Sequence, residues 1–260
     1  MKGDRFFRKK SNVGCLLVHG LTSSTQEMEE LASYLHSKNY TVLAPLLKGH
    51  NTSAKDLSRT AWHDWYSSVK KDFDLLNKNC SRIYVIGLSV GATLSLHLAA
   101  SNKNNKIKGL VLLAPAIFYT SPLVKFTPIL KYFKKYSIKD YGRYYPGRKE
   151  AFFDIADEKV LRGRIAYRQA PLASMASALK LIKIAKKEIK LINIPTLIIH
   201  SKKDNTIRPE SSQFIYNNLK INHKKIIYIE NSGHVISVDF DKKRIFGEIC
   251  NFILKTEKKK

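Results

Sequence analysis

Tyr84-Val85-Ile86-Gly87-Leu88-Ser89-Val90-Gly91-Ala92-Thr93-Leu94 breaks an apolar run with a serine held between two glycines, then returns at once to apolar residues. The part before the serine is short and rich in aliphatic side chains, as a buried strand is. The part after it suits a helix running from Val90 towards Ala100. A serine at such a strand-to-helix turn is lifted out of the sheet, and Gly87 and Gly91 lack the Cβ atoms that would collide with neighbouring elements. The helix behind it also points its positive end at any oxyanion forming there.

The surrounding chain alternates in the way this turn requires. Short apolar runs occur at 13–18, 40–44, 82–86, 108–113, 195–200 and 225–229. Each is uniformly apolar, the pattern of a parallel strand buried on both faces. Between them lie stripes with helical period: Met28, Leu31, Ala32 and Leu35, then Trp62, Trp65, Tyr66, Val69, Phe73 and Leu76 behind an expected cap at Thr60. Pro209 fits the first turn of a helix through Leu219, and Ile245, Phe246, Ile249, Phe252 and Ile253 mark a last one. Strand alternating with helix predicts an α/β fold, a doubly wound and mostly parallel sheet. The Trp62 and Trp65 pair reads as core stripe.

About 75 residues separate two strands that a single helix would normally join. The expected organisation is therefore a core of residues 1–115 and 192–260 carrying a helical cap, or lid, at 116–191. Its pieces SPLVKFTPILKYFKKYSIKDYGRYYPGRKEAFF and SMASALKLIKIAKKEIKLI are basic, aromatic and amphipathic. No internal repeat is visible, and the low-complexity end Lys258-Lys259-Lys260 reads as frayed.

Lysine and arginine number 46 against 21 acidic residues, a net +25. Such a balance attracts anionic lipid or phosphate backbones, yet the lysines are spread over the whole chain and also suit a solvated surface. Nucleic acid is not the expected partner; peripheral contact of the basic cap with an anionic membrane surface is left open. Cys15, Cys80 and Cys250 are odd in number and lack metal or redox spacing, so they read as reduced packing residues. The basic N-terminus is followed by too short an apolar piece for a secretory segment, and a cytoplasmic location is expected.

A serine nucleophile needs a base and an orienting acid at later strand ends. His234 follows the run at 225–229 in Asn231-Ser232-Gly233-His234, and Asp204 follows the run at 195–200 in SKKDNTIRP. With Ser89 they would meet at the carboxyl edge of the sheet, where sites form in such folds. Asp239 is the rival acid, although it lies beyond the histidine. The oxyanion donors are expected to be the main-chain N–H groups of Val90 and of Leu21, the latter in His19-Gly20-Leu21 after the first strand. His19, His50, His63 and His97 read as loop and helix residues. No histidine–carboxylate grouping has metal spacing, so neither metal nor cofactor is expected.

The segments VHGLTSSTQEMEELASYL, YVIGLSVGATLSLHLA, LIIHSKKDNTIRPESSQFIYNNL and NSGHVISVDFDKKRIFGEICNFI resemble the small bacterial carboxylesterases and monoacylglycerol lipases of the α/β-hydrolase superfamily. The resemblance runs over nearly the whole chain outside the cap. It implies a serine esterase whose triad is Ser89, Asp204 and His234, in the order Ser, Asp, His, with Leu21 and Val90 as oxyanion donors and a small-molecule acyl ester as substrate. The chain departs from the family at Ala92, where many relatives carry another glycine, and in the strongly basic cap. A thioesterase, a lysophospholipase and a proline-type aminopeptidase are the alternatives on this fold. Outside it stands a basic membrane- or nucleic-acid-binding protein built on a hydrolase scaffold. Monomer and homodimer are both open.

Overall fold

Side chains alternate along each central strand between two separate cores, which is why the strands read as unbroken apolar runs. The computed structural model describes residues 3–102, 105–138 and 154–258. Its strands are β1 Phe6–Arg8, β2 Val13–Val18, β3 Thr41–Ala44, β4 Arg82–Leu88, β5 Ile107–Leu113, β6 Tyr136–Ile138, β7 Gln169–Pro171, β8 Thr196–Ser201 and β9 Lys224–Ile229. The main sheet has the order β1-β3-β2-β4-β5-β8-β9, with β1 antiparallel to β3 and every other neighbour parallel. Leu16 and Val18 of β2 join one core with Val85 and Leu112, while Cys15 and Leu17 join the other with Tyr84, Ile86 and Val111.

Helices cover both faces. They are α1 Gln26–Ser37, α2 Ala54–Ser58, α3 Trp62–Asn79, α4 Val90–Ser101, α5 Thr127–Leu130, α6 Glu158–Arg162, α7 Leu172–Glu188, α8 Glu210–Asn218 and α9 Lys242–Glu257. The apolar stripes of α3, α4, α7 and α8 enter the first core, and those of α1 and α9 enter the second. This is the α/β fold that the alternating pattern predicts, doubly wound around a mostly parallel sheet. Trp65 is fully buried in the first core, as a stripe residue should be.

Two local details differ from expectation. The cap of α3 is Ala61, whose N–H donates to Asp64 Oδ2 at 3.0 Å, while the Thr60 hydroxyl accepts from Trp65 Nε1 at 2.8 Å. A carboxylate in the first turn serves the orphan amide and leaves Thr60 to the indole. The edge strand β1 has no period to betray it: three residues pair with β3, the last of them Arg8, whose side chain bonds to Glu29, while the preceding Arg5 bonds to Asp72 at 2.8 Å.

Between β5 and β8 the chain leaves the sheet. Its start is stitched to the loop after β8, with Thr120 N–H donating to the Thr206 carbonyl at 3.0 Å and Arg208 N–H to the Phe118 carbonyl at 2.9 Å. The short antiparallel pair of β6 and β7 follows, and then α7, which packs on α4 and α3. Residues 139–153 of the expected basic insertion, and Lys259 and Lys260 of the expected frayed end, lie outside the described residues.

Candidate active site

Ser89 sits between β4 and α4 with φ 56° and ψ −118°, a left-handed conformation that costs a non-glycine residue about 1–3 kcal/mol. Neighbouring strand ends hold it there. Ser89 N–H donates to the Leu113 carbonyl at 2.9 Å, and its own carbonyl accepts from Ala116 N–H at 3.2 Å. The flanking glycines are required by close approach. A Cβ on Gly87 would lie 2.6 Å from Ala92 Cα, and one on Gly91 would run into the Val18 and His19 carbonyls.

The three residues expected at strand ends come together. His234 Nε2 lies 2.8 Å from Ser89 Oγ, and His234 Nδ1 lies 2.7 Å from Asp204 Oδ2. A carboxylate only accepts, so Nδ1 carries the hydrogen and Nε2 is left to accept from the serine hydroxyl. Asp204 also receives main-chain N–H groups at Oδ1, from Thr206 at 2.9 Å and Ile207 at 2.8 Å. Burial alone would raise its pKa. The charge of His234 and hydrogen bonds from His200 and His234 outweigh that, and hold the carboxyl well below the usual carboxylate range.

Asp239 does different work. Its oxygens accept from the main-chain N–H groups of Gly233 at 2.7 Å, Ala156 at 2.8 Å, Asp157 at 2.9 Å and Phe240 at 2.9 Å. Those four donors fasten the His234 loop to the returning end of the insertion, so the rival acid is occupied elsewhere. Asp241 adds a second anchor by accepting from Asn231 N–H and the Ser232 hydroxyl, each at 2.9 Å.

The loop after β2 is held by two histidines that the sequence reading treats as loop residues. His19 Nδ1 donates to the Gly20 carbonyl at 2.8 Å, and its Nε2 accepts from Leu47 N–H at 3.2 Å. His50 Nε2 accepts from Thr22 N–H at 3.2 Å, and the two rings meet edge to face at 5.0 Å. Burial, followed by the neighbouring His19, lowers the His50 pKa to about 3, and burial lowers that of His19. Both are therefore neutral struts beneath the Leu21 backbone. His97 pairs with Glu188 at 2.8 Å, away from Ser89.

These groups open into a cavity of about 230 Å³. Leu21, Ser89, Val90 and His234 line it, together with Tyr119 and the apolar Val124 and Met175. Val90 is the first residue of α4, so its N–H has no intrahelical partner. Burial pushes the Tyr119 phenol up to about 12, which keeps it a neutral hydroxyl. A polar corner completes the cavity: Arg164 Nη2 donates to Glu27 Oε1 at 2.6 Å, Arg164 Nη1 approaches Asp154 Oδ2 at 3.5 Å, and Thr206 donates to Asp154. A larger hollow of about 740 Å³ lies at the N-terminal segment and shares only Glu27 and Arg164 with this cavity.

Sequence reasoning missed the polar corner and His200. Glu27 and Arg164 stand 137 residues apart, and no local pattern announces their pairing. His200 closes an apolar strand run, where a lone imidazole is the only signal. Among the described residues no group of three or more His, Cys, Asp or Glu side chains could hold a metal ion. Nor is any helix among them long and apolar enough to cross a membrane.

Comparison with known proteins agrees with this architecture. The family described as serine aminopeptidase, S33, matches residues 9–241. A thermostable monoacylglycerol lipase of Bacillus sp. (strain H-257) is 31% identical over 251 residues, 96% of this chain and 94% of that one. A carboxylesterase of Bacillus subtilis (strain 168) is 26% identical over 253 residues, 97% and 96% of the two chains. Among solved structures, one reported for the metagenome-derived lipolytic enzymes LipS and LipT superposes with a TM-score of 0.85 at 25% identity, covering 98% of each chain. With its match across most of its length, the chain belongs to the serine aminopeptidase S33 family, carried on the α/β-hydrolase fold.

Proposed function

We propose that this protein hydrolyses carboxylic esters with short to medium acyl chains, monoacylglycerols among them, by way of an acyl-enzyme on Ser89. The observation that carries the reading is the unbroken hydrogen-bond chain from Ser89 through His234 to Asp204 at the wall of a cavity with an apolar side. His234 takes the Ser89 proton as Oγ attacks the ester carbonyl, and the N–H groups of Leu21 and Val90 receive the oxyanion. His234 then protonates the leaving alcohol, and water attacks the acyl-enzyme with the same imidazole as base. Asp204 fixes the Nδ1–H tautomer. The kinship with a monoacylglycerol lipase and a carboxylesterase supports an ester substrate. Aminopeptidase chemistry is disfavoured because the acids in the cavity, Glu27 and Asp154, both engage Arg164 instead of offering a carboxylate to a substrate amine.

Residues 116–191 are read as a cap on a core of 1–115 and 192–260, with α7 of that segment lying against the sheet helices. The cap is proposed to rest on an anionic lipid surface. Leu123, Phe126, Ile129, Tyr132 and Phe133 are exposed, Phe133 at 84%, and lysines are interleaved with them: Lys125 lies 4.9 Å from the Phe126 ring centre and Lys131 4.8 Å from that of Tyr132. Apolar side chains ringed by cations suit a lipid interface better than a nucleic acid. Vesicle sedimentation with no preference for anionic over neutral lipid would remove this part of the reading. A cytoplasmic location accords with three free, buried cysteines.

The deciding experiment is hydrolysis of a chain-length series of 4-nitrophenyl esters and monoacylglycerols by the protein and by Ser89→Ala. Turnover that peaks at one chain length and falls by several orders of magnitude in the variant is expected. Equal rates in both proteins would overturn the assignment.

A further inference from the structure

The hydrogen-bond chain does not stop at Asp204. The oxygen that accepts from His234 Nδ1, Asp204 Oδ2, also meets His200 Nε2 at 3.0 Å, and His200 Nδ1 meets Ser212 Oγ at 2.7 Å. Five side chains thus run Ser89, His234, Asp204, His200, Ser212, with the carboxylate at the centre. The far half is sealed from solvent, since His200 and Ser212 are both wholly buried. His200 Nε2 also lies 3.2 Å from the Ile207 carbonyl, which only accepts. Nε2 therefore carries a hydrogen, and Nδ1 takes the hydrogen of the Ser212 hydroxyl.

We propose that His200, locked in its Nε2–H tautomer by Ser212, is a positioning residue for the triad: it fixes Oδ2 of Asp204 and draws part of the carboxylate charge away from His234. The inference rests on the esterase reading for its kinetic consequences. A carboxylate oxygen shared by two N–H donors stabilises an imidazolium less than one devoted to a single ring, because its charge is already partly neutralised. His234 then stays the free base to lower pH. A histidine that merely filled a core space would have no reason to aim its N–H at the one oxygen that orients His234. The other oxygen is already served by Thr206 and Ile207.

Other charged and titratable groups face this chain. Asp154, Arg164, Glu27 and Tyr119 line the cavity beside His234, Asp239 holds the Gly233 amide, and Tyr228 of β9 stands opposite His200 with Glu210 near it. None is altered by substitution at His200 or Ser212, so a displaced pH profile reports the relay itself.

The test is the pH profile of kcat/KM on a soluble 4-nitrophenyl ester for the wild type, His200→Leu, His200→Gln and Ser212→Ala. In His200→Leu the acid limb is expected to move up by about one pH unit, with KM changed less than about twofold. Glutamine places an amide N–H where Nε2 stood and should restore the limb; Ser212→Ala should move it the same way by less. An unmoved limb in His200→Leu, or equal displacement by leucine and glutamine, overturns the proposal. Should His200→Leu fail to fold, a wild-type limb in Ser212→Ala does so. Ring ¹⁵N shifts of His200 read the tautomer without any substrate, and an Nδ1–H form would also overturn it. A wild type without Ser89-dependent turnover would sink the esterase reading and leave this spectroscopic arm to judge the relay.

Discussion

Two buried aspartates stand in the loops that follow neighbouring strands, and each accepts four hydrogen bonds, yet they do opposite things. Asp204 takes two main-chain amides on one oxygen and two imidazoles on the other. All four donors to Asp239 are main-chain amides, so it has no oxygen to offer a ring. The difference shows that a carboxylate's role follows from its donors, not from its distance along the chain to the histidine. Asp204 orients; Asp239 ties segments together.

Replacing each in turn should separate the two roles. Asp204→Asn offers an amide hydrogen to His234 Nδ1 and imposes the wrong tautomer, so kcat should fall by about 10³–10⁴ while KM changes little. Asp239→Ala strands buried amides and should lower unfolding free energy by about 2–4 kcal/mol in denaturant titration. Molecules of that variant that remain folded should keep activity within about tenfold of the wild type. A fully stable Asp239→Ala that was as inactive as Asp204→Asn would erase the distinction.

A pH titration sharpens the contrast further. The folded pKa of Asp204 is depressed, so its contribution to stability is present above the unfolded value of about 3.9 and is lost as pH falls below it towards the folded one. The stability gap between wild type and Asp204→Asn should therefore close under acid. The smallest effect concerns His50, whose folded pKa of about 3 lies below the ordinary value. Between about pH 6.5 and that value the unfolded chain binds a proton the folded chain refuses, so stability falls as pH falls. His50→Gln should show a shallower melting-temperature slope in that window, and an identical slope would mean that the ring is not buried as described.

Much of this was legible in the sequence, for a physical reason. Strands buried on both faces must be apolar at every position, and a nucleophile turn against neighbouring backbone must be flanked by glycine, so β2, β4, β5, β8 and the Ser89 turn announce themselves. Asp204 and His234 were readable because strand ends converge on one edge. The edge strand β1 was not, since three residues, the last of them Arg8 and preceded by Arg5, carry no period. His200 was hidden in an apolar run, where its partner depends on how the following loop folds back. The actual work of Asp239, which the sequence offers only as a rival acid, was hidden for a similar reason: its donors are main-chain amides, which every sequence possesses.

That last property reaches beyond the site. Asp239 grips Ala156 and Asp157 by their backbones alone, so this contact does not depend on which side chains those two positions carry. An exchange of the side chain at 156 or 157 that leaves the backbone path intact therefore keeps both hydrogen bonds to Asp239. The neighbouring Ile155, by contrast, is tied to the His234 loop by its side chain, wholly buried in the core that holds Val235 and Ile236.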